Sequence, residues 1–250
     1  MDLASMVTPI PDAVEFRLIK AETTEDGSLT AESKARVEAL AQLFAALEGV
    51  KSLYYGQQIE DPSIVVFCAQ SASDVPQLQL SCEEPGPWPT NNWLVPMNHN
   101  LEKVLAAPVM EMCTAFDCNK KYIGAVKTFV ANIDNGGLAG YHAAAYGETT
   151  NPLTNEEGAT PSKSANLILG WESMEAHKEA KAKPGNPIMA NINLLREGRR
   201  SLAMGIEEAP FNSILKRITA DVRWKSSSFI SPSRKCESRH WSKGEKTSDD

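Results

Sequence analysis

Two polar side chains four residues apart, His142 and Tyr146, are the first candidates for chemistry in the sequence. Side chains alternate across a β-strand, so both are predicted to lie on one face of a strand over residues 140–148. The alanines between them leave room for a ligand. An imidazole that titrates near neutrality, placed beside a phenol, could move protons on an enolisable substrate. The alternative is that Tyr146 packs in the core while His142 faces solvent.

His177 is the third candidate for proton transfer. It follows Trp171 and lies in a helix predicted over residues 173–183, on the same side as Ser173. In the catalytic interpretation, His177 shuttles protons at the mouth of a pocket and Trp171 forms a flat wall beside it. In the structural interpretation, His177 caps the core or pairs with a carboxylate such as Glu207.

Two adjacent tyrosines, Tyr54 and Tyr55, are candidates for substrate binding together with Trp171. They lie on a strand predicted over residues 50–58 and therefore point to opposite faces of it. One of them is expected to line an interior and the other to pack against a helix. The alternation leaves open which tyrosine does which.

The sequence predicts neither a metal site nor a bound cofactor. Its four histidines include no His-x-His or HExxH arrangement, and its five cysteines include no CxxC pair. GxGxxG, P-loop and GxSxG motifs are all missing from the sequence. The cysteines are typical of buried or idle thiols in a reducing compartment, which predicts a cytoplasmic protein.

Charge is distributed unevenly along the chain. From Lys216 onward there are nine Lys/Arg and five Asp/Glu, a surplus of four positive charges. Since the net charge is −7, the rest of the chain carries −11. An acidic body is a poor match for a phosphate backbone, so nucleic acid is not expected as a partner. No apolar run approaches the roughly 20 residues that span a bilayer, and no secretory signal is recognisable, so no membrane partner is expected either.

Two copies of a β-α-β-β-α-β pattern account for most of the chain. Tyr55-Gly56 in the first copy recurs as Tyr146-Gly147 in the second, which indicates duplication. Each four-stranded sheet would carry helices on one face only, so the two bare faces are expected to pack together. Period-two patterns predict strands over residues 13–19, 50–58, 64–69, 92–97, 109–116, 140–148, 165–172 and 201–207. Helical spacing predicts helices over residues 37–47, 119–133, 173–183 and 187–197, with at most a short turn of helix near 75–81.

The predicted fold class is α+β, with tandem duplicated ferredoxin-like units that form an intrachain α/β barrel of two packed antiparallel sheets. The first unit spans residues 9–98 and the second spans residues 106–210. Serine-rich stretches without periodicity predict that residues 211–250 form a disordered basic tail.

Three segments carry a family resemblance. Residues 171–177 (Trp-Glu-Ser-Met-Glu-Ala-His) follow a buried strand and open a helix, and residues 53–62 form a hairpin. Both resemble segments of the dimeric α/β-barrel superfamily, which includes the antibiotic biosynthesis monooxygenases. Residues 107–111 (Ala-Pro-Val-Met-Glu) resemble the join between halves in fungal tandem members. Gln70 and Pro76 stand in the first half at the places matched to Trp171 and His177, so the resemblance implies a site in one half or in neither.

The resemblance implies small apolar ligands held between sheet and helices, and a range of cofactor-free reactions. The leading hypothesis is a cofactor-independent enzyme of specialised metabolism that acts on an apolar polyketide- or terpenoid-like molecule by acid/base chemistry, as a cyclase, isomerase, lyase or oxygenase. A non-catalytic small-molecule-binding or stress-response protein is the alternative, and an interaction scaffold that recruits a partner through its aromatic tail is a third. The chain is expected to act as a monomer with an intrachain barrel or as a homodimer.

The position of three side chains separates these hypotheses. If His142, Tyr146 and His177 meet at one apolar cavity, catalysis is favoured. If they are scattered, binding or scaffolding is favoured.

Overall fold

Strands and helices alternate through the part of the chain that the structure describes. In this computed structural model those residues are 12–72, 92–97, 101–153, 160–197 and 211–217, and all lie within one compact unit that spans residues 1–219. The strands are β1 Asp12–Lys20, β2 Val50–Gln58, β3 Ile64–Ala72, β4 Asn92–Pro96, β5 Val109–Ala115, β6 Tyr141–Glu148, β7 Ala165–Trp171 and β8 Phe211–Arg217. The helices are α1 Ala31–Ala45, α2 Leu101–Leu105, α3 Tyr122–Asp134, α4 Met174–Ala182 and α5 Pro187–Glu197.

The two halves of the chain have the same strand order. The first half runs β4-β1-β3-β2 and the second runs β8-β5-β7-β6, with antiparallel pairing throughout. β2 and β8 pair over residues 56–58, so the two four-stranded sheets are continuous. Thr150, just past β6, donates its N–H to the Leu94 carbonyl of β4 at 2.9 Å, so the outer edges of the two sheets also approach each other. The predicted α+β class with two antiparallel sheets is confirmed.

An apolar core lies between the two sheets. Alternate residues of β1 enter it, namely Val14, Phe16 and Leu18, and Met110 and Met112 enter it from β5. The opposite faces of the sheets are covered by helices, with α1 over the first half and α3 to α5 over the second. Because both of its faces are covered, β7 is buried along its whole length.

A buried polar link joins the two halves inside this core. Trp93 of β4 donates its Nε1–H to the Asn166 Oδ1 at 3.0 Å, and Asn166 of β7 donates its Nδ2–H to the Thr114 Oγ1 at 2.8 Å. Leaving a buried polar group without a partner costs about 1–3 kcal/mol. This chain of hydrogen bonds therefore favours one alignment of the two sheets.

Two helices differ from their predictions. Apolar spacing predicted a helix from Val37, whereas α1 begins at Ala31 because Thr30 caps it and accepts from the Ser33 N–H at 3.2 Å. The short helix α2 was not predicted, although its buried residues have helical spacing: Leu101, Val104 and Leu105. No helix among the described residues is long and apolar enough to cross a membrane.

One strand lies inside the range that the sequence assigned to the tail. β8 is Phe211–Arg217, inside the range assigned to the tail, whereas residues 201–207 lie outside the described residues, as does the turn proposed near 75–81. β8 pairs with β5 along six of its residues and with β2 at its end. The sequence Phe-Asn-Ser-Ile-Leu-Lys-Arg shows no clean alternation, so pairing on both sides, rather than local pattern, accounts for this strand.

Candidate active site

A buried carboxylate, Glu111, lies on the helix-facing side of β5. Its neighbours Met110 and Met112 point into the core between the sheets, so alternation turns Glu111 toward α4. Its side chain is only 4% exposed. A carboxylate so far from water must be paired or protonated.

Helix α4 supplies the partners of Glu111. His177 and Lys181 are four residues apart and therefore lie on one side of this helix. The His177 Nε2 lies 3.1 Å from the Glu111 Oε2, and the Lys181 Nζ lies 2.8 Å from the Oε1. Each oxygen of one buried carboxylate thus contacts a different basic group. The lysine side chain is 31% exposed, so it reaches solvent while the histidine, at 7%, does not.

Two local features place α4 against the sheet. The Ser173 hydroxyl caps the helix and accepts from the Ala176 N–H at 3.0 Å. Gly140, before β6, has a φ of +70°, and a Cβ there would lie 2.5 Å from the Ala176 Cβ. Only glycine allows both this backbone conformation and this close approach. The predicted helix over 173–183 is confirmed as Met174–Ala182.

Aromatic rings enclose the histidine. Trp171 ends β7, is fully buried and meets His177 edge to face, with ring centroids 5.2 Å apart. Tyr141 packs edge to face on Trp171 at 5.6 Å and donates its hydroxyl to Asp134 at 2.6 Å. Burial, and then this bond to Asp134, raises the pKa of Tyr141 far above its ordinary value. Tyr141 is therefore a neutral hydrogen-bond donor that holds the tryptophan in place.

Two nitrogen atoms in this cluster lack a partner. Neither the His177 Nδ1 nor the Trp171 Nε1 has a hydrogen bond within the described residues, although both are buried. The His177 Nε2 is close enough to Glu111 for an ion pair but is not directed at it as a hydrogen bond requires. Buried nitrogens without partners are uncommon in folded proteins, and they often mark a position where a ligand binds.

The charge state of Glu111 follows from its neighbours. Burial by itself would raise its pKa, but contact with His177 and the positive charge of Lys181 outweigh burial and hold the pKa below its ordinary value. Glu111 is therefore ionised at neutral pH.

The three predicted catalytic residues do not meet. His142 is exposed, because a β-bulge between Tyr141 and Ala143 breaks the alternation that would have aligned it with Tyr146. Tyr146 is buried under the helices, opposite Leu167. Trp171 lies four residues beyond Leu167 on β7, and the usual rise of a strand places it about 13 Å from the position of Tyr146. His177, buried beside Trp171, is the one predicted catalytic residue found in the cluster. The scatter of the three residues favours binding or scaffolding by the criterion above, so a catalytic role has to rest on His177 and its contact with Glu111.

The predicted substrate-binding tyrosines lie elsewhere. Tyr54 packs against the core between the sheets, whereas Tyr55 belongs to the layer under α1, where it stacks on Phe67 with ring centroids 5.5 Å apart. Both border a shallow cleft that is partly open to solvent and encloses about 30 Å³. Apolar side chains line the rest of this cleft: Val66, Cys68, Leu105, Ala107 and Met110. The sheet separates it from the cluster, because Met110 and Glu111 point to opposite faces of β5.

The first half carries a related but different arrangement. Tyr55 lies opposite Phe67 as Tyr146 lies opposite Leu167. Two residues further along the same strands, Ala69 lies opposite Glu15 and Leu169 lies opposite Glu111, so in this register the two glutamates occupy equivalent positions. Arg17 pairs with Glu15 at 3.2 Å from the same strand. By this register Ser71, rather than Gln70, takes the place of Trp171.

Glu111, Lys181 and Tyr141 were not predicted from the sequence. The one signal for Glu111 was a lone acidic residue in an otherwise apolar strand. No group of three His, Cys, Asp or Glu side chains in the described ranges is placed to hold a metal ion.

Two solved structures share this fold. One is an anthrone oxidase-like protein, with 10% identity, a TM-score of 0.54, and coverage of 84% of this chain and 92% of its own. The other is a candidate monooxygenase from Fusobacterium nucleatum, with 10% identity, a TM-score of 0.51, and coverage of 85% of this chain and 94% of its own. Comparison with known protein families finds no match, and neither does comparison with curated proteins. At this level of identity, the two structures establish a common fold.

Proposed function

We propose that this protein is a cofactor-independent enzyme that acts on an apolar, enolisable small molecule, with oxygenation as its reaction class. The observation that carries the proposal is the buried His177, whose Nδ1 has no partner while its Nε2 contacts the Glu111 carboxylate. A carboxylate 3.1 Å from one nitrogen of an imidazole repels a lone pair on that nitrogen, so even without a well-directed hydrogen bond it favours the tautomer that carries its proton there. The lone pair on the Nδ1 is then available as a general base.

Trp171 complements this base. Its Nε1 is a hydrogen-bond donor without a partner among the described residues, and its ring lies beside the imidazole. A donor of this kind stabilises an oxygen on which negative charge develops as the base removes a proton. Donor and base together suit a substrate in which a carbonyl or phenol activates a neighbouring C–H bond.

The two structural neighbours favour oxygenation over cyclisation, isomerisation or elimination. His177 would remove a proton from an activated CH₂ group, and the carbanion would add O₂ to give a peroxide that takes the proton back. Removal of the second proton from that carbon breaks the O–O bond, forms a carbonyl and releases hydroxide, which leaves as water. One CH₂ group and one O₂ thus give one C=O and one H₂O.

The finer description of the fold is part of the same proposal. The repeated strand order, the equivalent positions of Tyr55 and Tyr146, and those of Glu15 and Glu111 support descent from a duplicated ferredoxin-like unit. Contact between β4 and the end of β6 supports closure of the two sheets into a barrel within one chain. Membership in the antibiotic biosynthesis monooxygenase group, a role in specialised metabolism and a cytoplasmic location are proposed with it.

A turnover assay tests the enzyme proposal. The full chain would be incubated with anthrone as the probe, while oxygen uptake and the absorbance of the quinone product are followed. His177→Gln is expected to reduce turnover by about 10²–10⁴. His142→Gln, a histidine on the exposed bulge, is the matched control and should retain the parent rate. Equal rates in the two variants would remove His177 from the mechanism.

The apolar cleft beside Tyr54 favours a second candidate function, non-catalytic binding of a small molecule. Its lining includes a buried thiol, Cys68, whose pKa burial raises to about 12, so this thiol stays neutral and unreactive. An apolar fluorescent dye tests this function in a protein that shows no turnover. Dye binding that is lost in Met110→Trp but kept in His177→Gln would support it.

A further inference from the structure

Among the side chains that the structure describes, few charged groups lie around His177. Glu111 and Cys113 face it from β5, with the Cys113 Sγ 3.9 Å from the Glu111 Oε1. Lys181 faces the same carboxylate from α4. Trp171 of β7 is neutral, and Tyr141 of β6 reaches α3 only through its bond to Asp134. Arg196, the charged residue of α5 whose side chain the structure describes, is exposed.

Within the described residues, the Glu111 carboxylate has two possible sources of positive charge. One is Lys181, whose Nζ lies 2.8 Å from the Oε1. The other is His177, which becomes positive only when it takes up a proton. A buried cluster is most stable when its charges sum to zero, and one cation suffices for one carboxylate.

We infer that Lys181 is a positioning residue that keeps the imidazole of His177 uncharged by neutralising Glu111. With the lysine present, Glu111 and Lys181 balance each other, and the histidine keeps a lone pair on its Nδ1. Without the lysine, Glu111 draws a second proton onto the imidazole, which then carries hydrogen on both nitrogens. An imidazolium cannot accept a proton, so the base of the proposed reaction is lost. The kinetic consequence rests on the proposed function, whereas the protonation state does not.

The geometry supports this role rather than a purely structural one. Lys181 is 31% exposed, so its ammonium group is partly hydrated while it contacts the carboxylate. It acts on His177 through the shared carboxylate, since each basic group contacts a different oxygen. The (i, i+4) spacing on α4 fixes both groups to one helical face.

The test is a proton NMR titration of the full chain, with the His177 resonances assigned by their loss in His177→Gln. Lys181→Met is expected to raise the pKa of His177 by about one unit or more, a tenfold gain in proton affinity. Lys181→Arg keeps the charge and should leave the pKa of His177 within about 0.3 of the parent. Lys178→Met, at an exposed position on the same helix, is the matched control and should do likewise. A pKa of His177 in Lys181→Met that stays within about 0.3 of the parent overturns the inference.

A second replacement keeps the test decisive if Lys181→Met does not fold. Lys181→Gln removes the same charge but keeps a polar end beside Glu111, and it should shift the titration of His177 in the same direction as Lys181→Met. In the Glu111→Gln background, where the shared carboxylate is gone, removing the lysine should shift His177 far less than in the parent. A shift as large as in the parent would show that Lys181 does not act through Glu111, and would overturn the inference.

Turnover of anthrone supplies a separate readout. The acidic limb of the rate profile should move to higher pH in Lys181→Met, by the same amount as the NMR titration of His177. A protein that shows the NMR shift but no turnover would refute the proposed function and leave the inference intact. An NMR shift together with an unmoved limb would refute the kinetic role of Lys181.

Discussion

Replacing Glu111 by glutamine perturbs the centre of the buried cluster. Glutamine keeps the size of the side chain and one acceptor oxygen but removes the charge. Lys181, which is 31% exposed, recovers hydration, whereas His177, at 7%, does not. Hydrogen bonds and ion contacts to charged groups contribute about 1.5–3 kcal/mol each, and partial recovery by Lys181 leaves an expected loss of about 1–3 kcal/mol at pH 7. For a unit of this size, that loss lowers Tm by roughly 2–12 °C.

The pH dependence of the same variant gives the sharper test. The pKa of Glu111 is lower in the folded chain than in the unfolded chain. Its ionised form therefore stabilises the fold fully above its unfolded pKa of about 4.3, and this stabilisation is lost as the pH falls through the folded value. The difference in unfolding free energy between the parent and Glu111→Gln should be largest at pH 7 and shrink below about pH 4.

Urea unfolding followed by tryptophan fluorescence, at pH values from 7 down to 3, measures this difference. Glu179→Gln, which removes an exposed carboxylate from the same helix, is the control and should match the parent throughout. A difference that stays constant from pH 7 to pH 3 would show that Glu111 is not held as an anion by its partners, and the assignment of its charge would be wrong.

Three other perturbations test the frame around the site. Asn166→Leu removes the buried link between the halves and is expected to cost about 1–3 kcal/mol in urea unfolding; an unchanged midpoint would mean that its two partners find other hydrogen bonds. Gly140→Ala should lower the free energy of unfolding by about 1–3 kcal/mol, because φ is +70° and the new Cβ meets Ala176. The control Gly124→Ala, with open space in helix α3, should raise it by about 0.5–1 kcal/mol. Equal effects would contradict the close approach of α4. A chain that ends at residue 219 should have the same melting temperature as the full chain. One that ends at residue 210 loses β8 and its pairing with β5, so its melting temperature should be at least several degrees lower. Identical melting temperatures would show that β8 contributes nothing to stability.

Most of the fold followed from local pattern because most of its elements have a strong period. In β1, the apolar residues Val14, Phe16 and Leu18 alternate with the charged residues Glu15 and Arg17. The apolar residues enter the core between the sheets, and a helix covers the other face of the strand. The strand β8 lacked such a pattern, and its conformation depends on partners that are remote in sequence. Period therefore predicts strands whose sequence alternates, and it fails for β8, whose sequence does not alternate and whose conformation is fixed by its pairing alone.

The site was harder to predict because its key contacts join distant segments. Glu111 and His177 are far apart in the chain, and nothing local signals that β5 and α4 bring them together. His142 failed for a different reason, since a single bulged residue reverses the face on which a strand residue lies. Spacing along a strand predicts a shared face only where the pairing is regular.

The difference between the two halves suggests which of them can do chemistry. In the first, the cation that balances Glu15 is Arg17, which comes from the same strand, lies 5.2 Å from the centre of the Phe44 ring and never loses its charge. In the second, the groups that balance Glu111 come from the separate short helix α4, and one of them is a histidine. A carboxylate paired with arginine has a fixed charge state, whereas one shared between lysine and histidine can respond to a proton or to a ligand. A half that only supports structure needs a charge pair that does not change, which Glu15 and Arg17 provide. A half that moves protons needs a group that can gain and lose one, and in the second half that group is His177 beside Glu111.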